Sequence, residues 1–195
     1  MSYSISSRYQ VADPSAMIEK APALREKAIA AGAEGAALIQ PIAAGPHVDV
    51  ILALTVWNSV DAGIEGLGKL YADPDIQSLR EGNPILDRSI SKLMASYGDI
   101  DGQYIGVTRF TASEMSERGV AIAWEKGKAQ GITAIRASHC IAGGDNVGSY
   151  RAMFFTNSLE AWAKTIADLL ADDEYLSEIE RTNFKPVFRG IARRF

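Results

Sequence analysis

The segment LTVWNSVDAGIEGLGKLYADPDIQSL at 54–79 returns 99 positions later as MFFTNSLEAWAKTIADLLADDEYLSE at 153–178. A chain that says nearly the same thing twice must fold each copy into the same unit, and this constrains the architecture more than any single motif. Within the segment, NSVDA at 58–62 answers NSLEA at 157–161. In each copy Asn-Ser precedes a run of helical periodicity, so Asn58 or Ser59, and Asn157 or Ser158, can cap the first free amides. Asp61 and Glu160 then favour the positive end of the helix. The apolar stripe is Ile64, Leu67 and Leu70 with Tyr71 in the first copy, and Leu159, Trp162, Ile166, Leu169 and Leu170 in the second. ADP at 72–74 and ADD at 171–173 interrupt both helices at one place.

The correspondence continues upstream. IAAG at 42–45 matches IAGG at 141–144, each between two apolar strands, and AAGAEG at 30–35 matches AQGITA at 129–134. Glycine there ends a helix expected over about 14–31 and about 112–130. At the starts, YSISSRYQ at 3–10 matches YIGVTRFT at 104–111, now offset by 101. PILDRSISKL at 84–93 and KPVFRGIARRF at 185–195 supply closing strands. Each copy reads strand, helix, strand, strand, helix, strand. The expected domains are residues 1–96 and 103–195, joined by SYGDIDGQ at 96–103.

A βαββαβ unit forms an antiparallel sheet with its helices on one face. Two copies can cover each other's open faces, which predicts an α+β fold of two fused ferredoxin-like units enclosing a chamber that either takes a ligand or is filled by the facing side chains. With its element order and paired NSxxA helix starts, the chain resembles the dimeric α/β-barrel superfamily, both copies being joined in one chain. That resemblance implies a small apolar ligand held between helices and sheet. Relatives include cofactor-free oxygenases, haem-binding and haem-degrading proteins, isomerases, cyclases, lyases and stress proteins, and fold alone does not choose among them.

The formal charge of −4 is spread without a basic block, so neither nucleic acid nor a membrane surface is an expected partner. One cysteine, Cys140, cannot form an intrachain disulfide. No secretory signal or long apolar run occurs, so a cytoplasmic location is expected. Two histidines and one cysteine are too few for a dedicated zinc centre, and no metal site is expected, although carboxylate-held magnesium stays open. Haem needs only one axial ligand and survives this count.

The two copies differ most in ASHCIAGGDNVGSYR, 137–151. Alternation puts His139 on the face opposite Cys140, which argues against a Cys-His nucleophile. His139 as base and Tyr150 as hydrogen-bond partner form the catalytic reading; a hairpin histidine beside a core tyrosine is the structural one. Arg109 is the candidate stabiliser of an oxyanion, and Arg8 its counterpart; a structural salt bridge competes with both. Tyr9, Phe110 and Trp57 are candidates to line an aromatic pocket, with core packing the competing role for the tryptophans. Asn146 and His47, each in a hairpin, complete the substrate-binding set, and His47 is also a possible haem ligand. IAGGDN at 141–146 lacks the context of a phosphate loop and reads as a turn.

These residues point to a small-molecule enzyme acting on an aromatic or polyketide-like substrate by cofactor-independent proton transfer, of isomerase, cyclase or lyase type. The rival readings are a haem-binding or haem-degrading protein, a cofactor-free monooxygenase and a noncatalytic stress protein. Homo-oligomers stay open because strands and helix faces can still pair.

Overall fold

The computed structural model describes residues 2–45 and 50–195. The first repeat comprises β1 (Tyr3–Gln10), α1 (Pro14–Glu19), α2 (Ala21–Ala30), β2 (Gly35–Ala43), β3 (Val50–Trp57), α3 (Val60–Ala72), α4 (Pro74–Glu81) and β4 (Ile85–Gly98). The second comprises β5 (Tyr104–Thr111), α5 (Glu117–Gln130), β6 (Ile132–Ala142), β7 (Tyr150–Thr156), α6 (Leu159–Leu170), α7 (Asp173–Arg181) and β8 (Lys185–Arg194). In each repeat the first strand lies between the third and fourth in antiparallel register. The strand order β1-β3-β2-β8-β5-β7-β6-β4 closes on itself. The chain is therefore an α+β protein of two βαββαβ units whose sheets form one eight-stranded barrel. Two compact units divide it: Met1–Lys92 with Cys140–Val147 and Arg194–Phe195, and Leu93–His139 with Gly148–Arg193.

Three boundaries differ from expectation, each for a local reason. The helix expected over 14–31 is two helices, because Pro22 lacks the amide that would continue α1 and instead opens α2. The helix expected from 112 begins at Glu117, where Ser116 Oγ accepts from Gly119 N at 2.7 Å. Residues 96–98, expected as linker, extend β4, and Arg136 donates to the carbonyls of Tyr97 at 2.6 Å and Gly98 at 2.9 Å.

The duplicated helix starts are capped by the serines. Ser59 Oγ accepts from Ala62 N at 3.1 Å and Ser158 Oγ from Ala161 N at 3.2 Å. Asn157 instead holds the linker, accepting from Gln103 N and donating to Asp101 O, both at 3.1 Å. A second duplicated device fastens the helical breaks. Lys27 pairs with Asp73 at 2.6 Å, and its equivalent Lys126 with Asp172 at 2.7 Å. Asp73 and Asp172 also cap α4 and α7.

The cores of the two repeats solve the same packing problem with opposite side chains. Trp57 on β3 is fully buried, with Nε1 donating to Thr55 Oγ1 at 2.8 Å. It fits because α3 presents Gly63 and Gly66: a Cβ at Gly63 would lie 2.7 Å from Ile5, and one at Gly66 would overlap the indole. The buried stripe of α3 is thus Gly63, Gly66, Leu67 and Leu70, whereas Ile64, expected on it, is 52% exposed. In the second repeat the tryptophan is on the helix. Trp162 stands where Gly63 stands, Gly106 replaces Ile5, and Thr156 and Thr165 replace Trp57 and Gly66. A Cβ at Gly106 would fall on the Trp162 indole. Total volume is kept while its donor changes, the kind of exchange that cores tolerate.

Gly66→Ala should accordingly lower stability by about 1–3 kcal/mol despite the better helix propensity of alanine. Gly68→Ala, whose Cβ meets open space, should raise it by about 0.5–1 kcal/mol. Urea unfolding decides, and a neutral Gly66→Ala would refute the wedge. The Lys126 hydrogen bond holds the Asp172 carboxyl below the ordinary range, so its stabilising effect is present above about pH 4 and lost as pH falls. Lys126→Met should destabilise near neutrality, match the wild type once Asp172 is protonated in the folded state and so flatten the acid limb of the stability curve. An acid limb unchanged in slope would show that the pair adds nothing to stability.

Candidate functional site

Each repeat holds a cavity between its helices and its sheet. The larger, about 310 Å³, lies in the second repeat, within the range of small-molecule sites. Phe110, Val120, Phe154, Leu169 and Phe184 give it apolar walls. The strand face is set by alternation: Thr108 and Phe110 on β5, and Ala152 and Phe154 on β7, point to the helices.

Most polar side chains lining this cavity are already engaged. Ser116 donates to Glu178 Oε2 at 2.6 Å, and Arg181 donates to the same oxygen at 3.0 and 2.8 Å. These bonds, Arg181's first, hold the Glu178 carboxyl below its ordinary range and make it a weak base. Thr182 donates to Glu178 O at 2.7 Å, and Glu114 pairs with Arg181 at 2.5 Å. Three side chains remain without a hydrogen bond or ion pair among the described residues: Thr108, Tyr175 and Arg189. Thr108 and Arg189 are cross-strand neighbours on one face. Burial pushes the Tyr175 phenol above its ordinary range against the opposing pull of Arg189. Tyr175 therefore stays a neutral donor, and the cationic Arg189 stands exposed at the rim. Such a trio can bind an oxyanion on an otherwise apolar ligand.

The expected residues fall in different places. His139 and Tyr150 come together, their rings stacked with centroids 4.7 Å apart. The stack continues through Phe110 at 5.6 Å from Tyr150 and Phe184 at 4.3 Å from Phe110. Only Phe110 and Phe184 of this ladder line the cavity. Arg109 shares β5 with Thr108 and Phe110 but lies between them on the opposite face, across from Arg151 and Phe188. Arg8 is paired with Asp87 at 2.5 Å. Trp57 is sealed in the core, and Asn146 ends a 3-10 turn over Gly144–Asn146. His47 lies outside the described residues.

Tyr9 lines the smaller cavity, about 80 Å³, in the first repeat, where it is hydrogen-bonded to Tyr71. Burial, and then Tyr71, push its phenol far above the ordinary range.

Arg189 and Tyr175 are the functional candidates that the sequence reading passes over. A signal for the arginine existed. Arg88 and Arg189 are 101 positions apart, and each faces a hydroxyl residue of the repeat's first strand, Ser7 or Thr108. A search for differences between copies discards this identity. No such signal marks Tyr175, whose counterpart is Ile76.

The donor set at the larger cavity does not fit a haem. No histidine or cysteine lines it among the described residues, leaving the Met115 thioether and the protonated Tyr175 phenol. Among the described residues no group of three or more His, Cys, Asp or Glu side chains could hold a metal ion. No helix among them is long and apolar enough to cross a membrane.

No family model and no curated protein matches the chain. Solved structures do. A heme-binding protein from Thermus thermophilus is similar at TM-score 0.64 and 10% identity, covering all of this chain and 91% of its own. An anthrone oxidase-like protein covers 100% and 91% at TM-score 0.57 and 15% identity. A chlorite dismutase variant from Candidatus Nitrospira defluvii covers 98% and 91% at TM-score 0.58 and 10% identity. At such identities the likeness is one of fold. The chain has the fold of the dimeric α/β-barrel proteins, with two ferredoxin-like halves fused in a single polypeptide.

Proposed function

We propose that the chain is an enzyme that binds an aromatic or polyketide-like molecule in the second-repeat cavity and oxidises it with dioxygen, without a bound cofactor. The observation that carries this reading is an apolar cavity whose uncommitted polar groups are all hydrogen-bond donors: Thr108, Tyr175 and Arg189. Donors of this kind favour the ionised form of a phenol or enol. Arg189 offsets the developing charge, Tyr175 donates to the same oxygen, and the apolar walls exclude water from the ring carbon. The proton leaves to solvent at the open rim. The electron-rich carbanion then reduces dioxygen, and a ring methylene plus dioxygen gives a carbonyl plus water. The likeness to an anthrone oxidase-like protein supports the substrate class by analogy of fold.

The same enolate would serve an isomerase or cyclase, which needs no dioxygen. With anthrone as probe, the wild type should consume dioxygen in step with product, and Arg189→Ala should lose about 10²-fold in kcat/KM. Turnover that continues at the same rate under argon would reassign the reaction to proton transfer alone. Equal rates for wild type and Arg189→Ala would remove the assigned role. Haemin titration separates the remaining rival: no saturable Soret shift is expected, and one abolished by replacing a single residue would put haem binding first.

A further inference from the structure

The first-repeat cavity carries a cluster that the reaction above does not use. Arg80 stacks on Tyr71, its Cζ 4.0 Å from the ring centroid, and the Arg88 Cζ lies 5.1 Å from the same ring. Arg88 also donates to the Tyr71 hydroxyl, and its Nε to Ser7 Oγ at 3.0 Å. The Arg80 Nε is buried without a hydrogen-bond partner. Arg25 lines the same cavity from α2. None of these three arginines forms an ion pair among the described residues. The neighbouring carboxylates are engaged elsewhere, Asp87 with Arg8, and Asp73 and Asp75 with Lys27.

Guanidinium groups gathered beside a buried surface without counter-charge are costly, and one anion between them would offset both repulsion and lost hydration. The fold keeps an arginine at Arg88, as Arg189, but does not demand Arg80 or the two tyrosines. At the equivalent second-repeat positions Tyr9, Tyr71 and Arg80 are Phe110, Leu170 and Ile179. Away from the arginines the cavity is apolar, with Met17, Leu24, Leu67, Leu70, Ile76 and Leu79. Its volume of about 80 Å³ is well below the ~150 Å³ cavity that accepts benzene, so the ligand has a short hydrocarbon part.

We propose that this cavity binds a short-chain monocarboxylate, with its carboxylate held by Arg80 and Arg25 beside Tyr71, Arg88 bracing the Tyr71 ring from behind, and its tail among the apolar side chains. A planar two-oxygen anion matches the guanidinium fork. The site is independent of the second-repeat cavity, and its occupant need not be the substrate there.

Sodium propionate is the probe, titrated calorimetrically and by thermal shift against sodium chloride at equal ionic strength. Saturable binding that raises Tm beyond the chloride control is expected, weakened about tenfold or more in Arg80→Gln. Arg189→Gln should leave propionate binding unchanged, so failure of the second-repeat reading and failure of this one are distinguishable. Absence of saturable binding to the wild type would overturn the proposal, as would equal affinity in a folded Arg80→Gln. Phosphate binding in place of propionate would also overturn it. Should Arg80→Gln fail to fold, the ultraviolet difference spectrum of the wild-type tyrosines serves instead. Propionate should perturb it saturably through Tyr71, and an unperturbed spectrum counts against the site.

Discussion

A tryptophan wedged between helix and strand sets the helix-to-sheet spacing in each repeat, and the cavities depend on that spacing. In the first repeat the wedge is Trp57, received by Gly63 and Gly66 at the start of α3. In the second it is Trp162 of α6, received by Gly106 of β5. Further along the same two helices, Leu67, Leu70 and Tyr71, or Ile166, Leu169 and Leu170, line the cavities. A large side chain at one end of the helix therefore holds a gap at the other. Close packing elsewhere in the interior makes that gap a fixed feature rather than slack.

From this common frame the repeats diverge in chemistry. Both place an arginine of the closing strand opposite a hydroxyl residue of the first strand, Arg88 with Ser7 and Arg189 with Thr108. Around Arg88 the first repeat adds Tyr9, Tyr71 and Arg80, which fill the space with polar groups and leave about 80 Å³. Around Arg189 the second repeat has Phe110, Leu170 and Ile179, which leave about 310 Å³ of largely apolar space. One half holds a small space beside arginines and tyrosines, the other a larger apolar space with three hydrogen-bond donors.

The repeat made the architecture legible. A shared offset across helix starts, glycine helix ends and hairpins implies two copies of one unit, and the serine caps and element order needed nothing more. Pro22 marks the break that periodicity alone does not show, since a proline near a helix start can equally open a helix. The site was harder to read because it lies on the faces that alternation assigns to the helices. His139 and Tyr150 do pair, yet they occupy the end of an aromatic ladder outside the cavity. Periodicity locates a face but not which part of it is left uncovered. That depends on side-chain volumes contributed by three or four elements, and the Trp57-to-Trp162 exchange shows how freely these trade between copies.

Hydrogen–deuterium exchange with and without anthrone tests the location of the active cavity most directly. Binding in the second-repeat cavity predicts added protection in α5, α7 and β8, around Ser116, Tyr175 and Arg189, with the hairpin from His139 to Tyr150 unchanged. Protection centred on that hairpin, or none under conditions of measured binding, would contradict it.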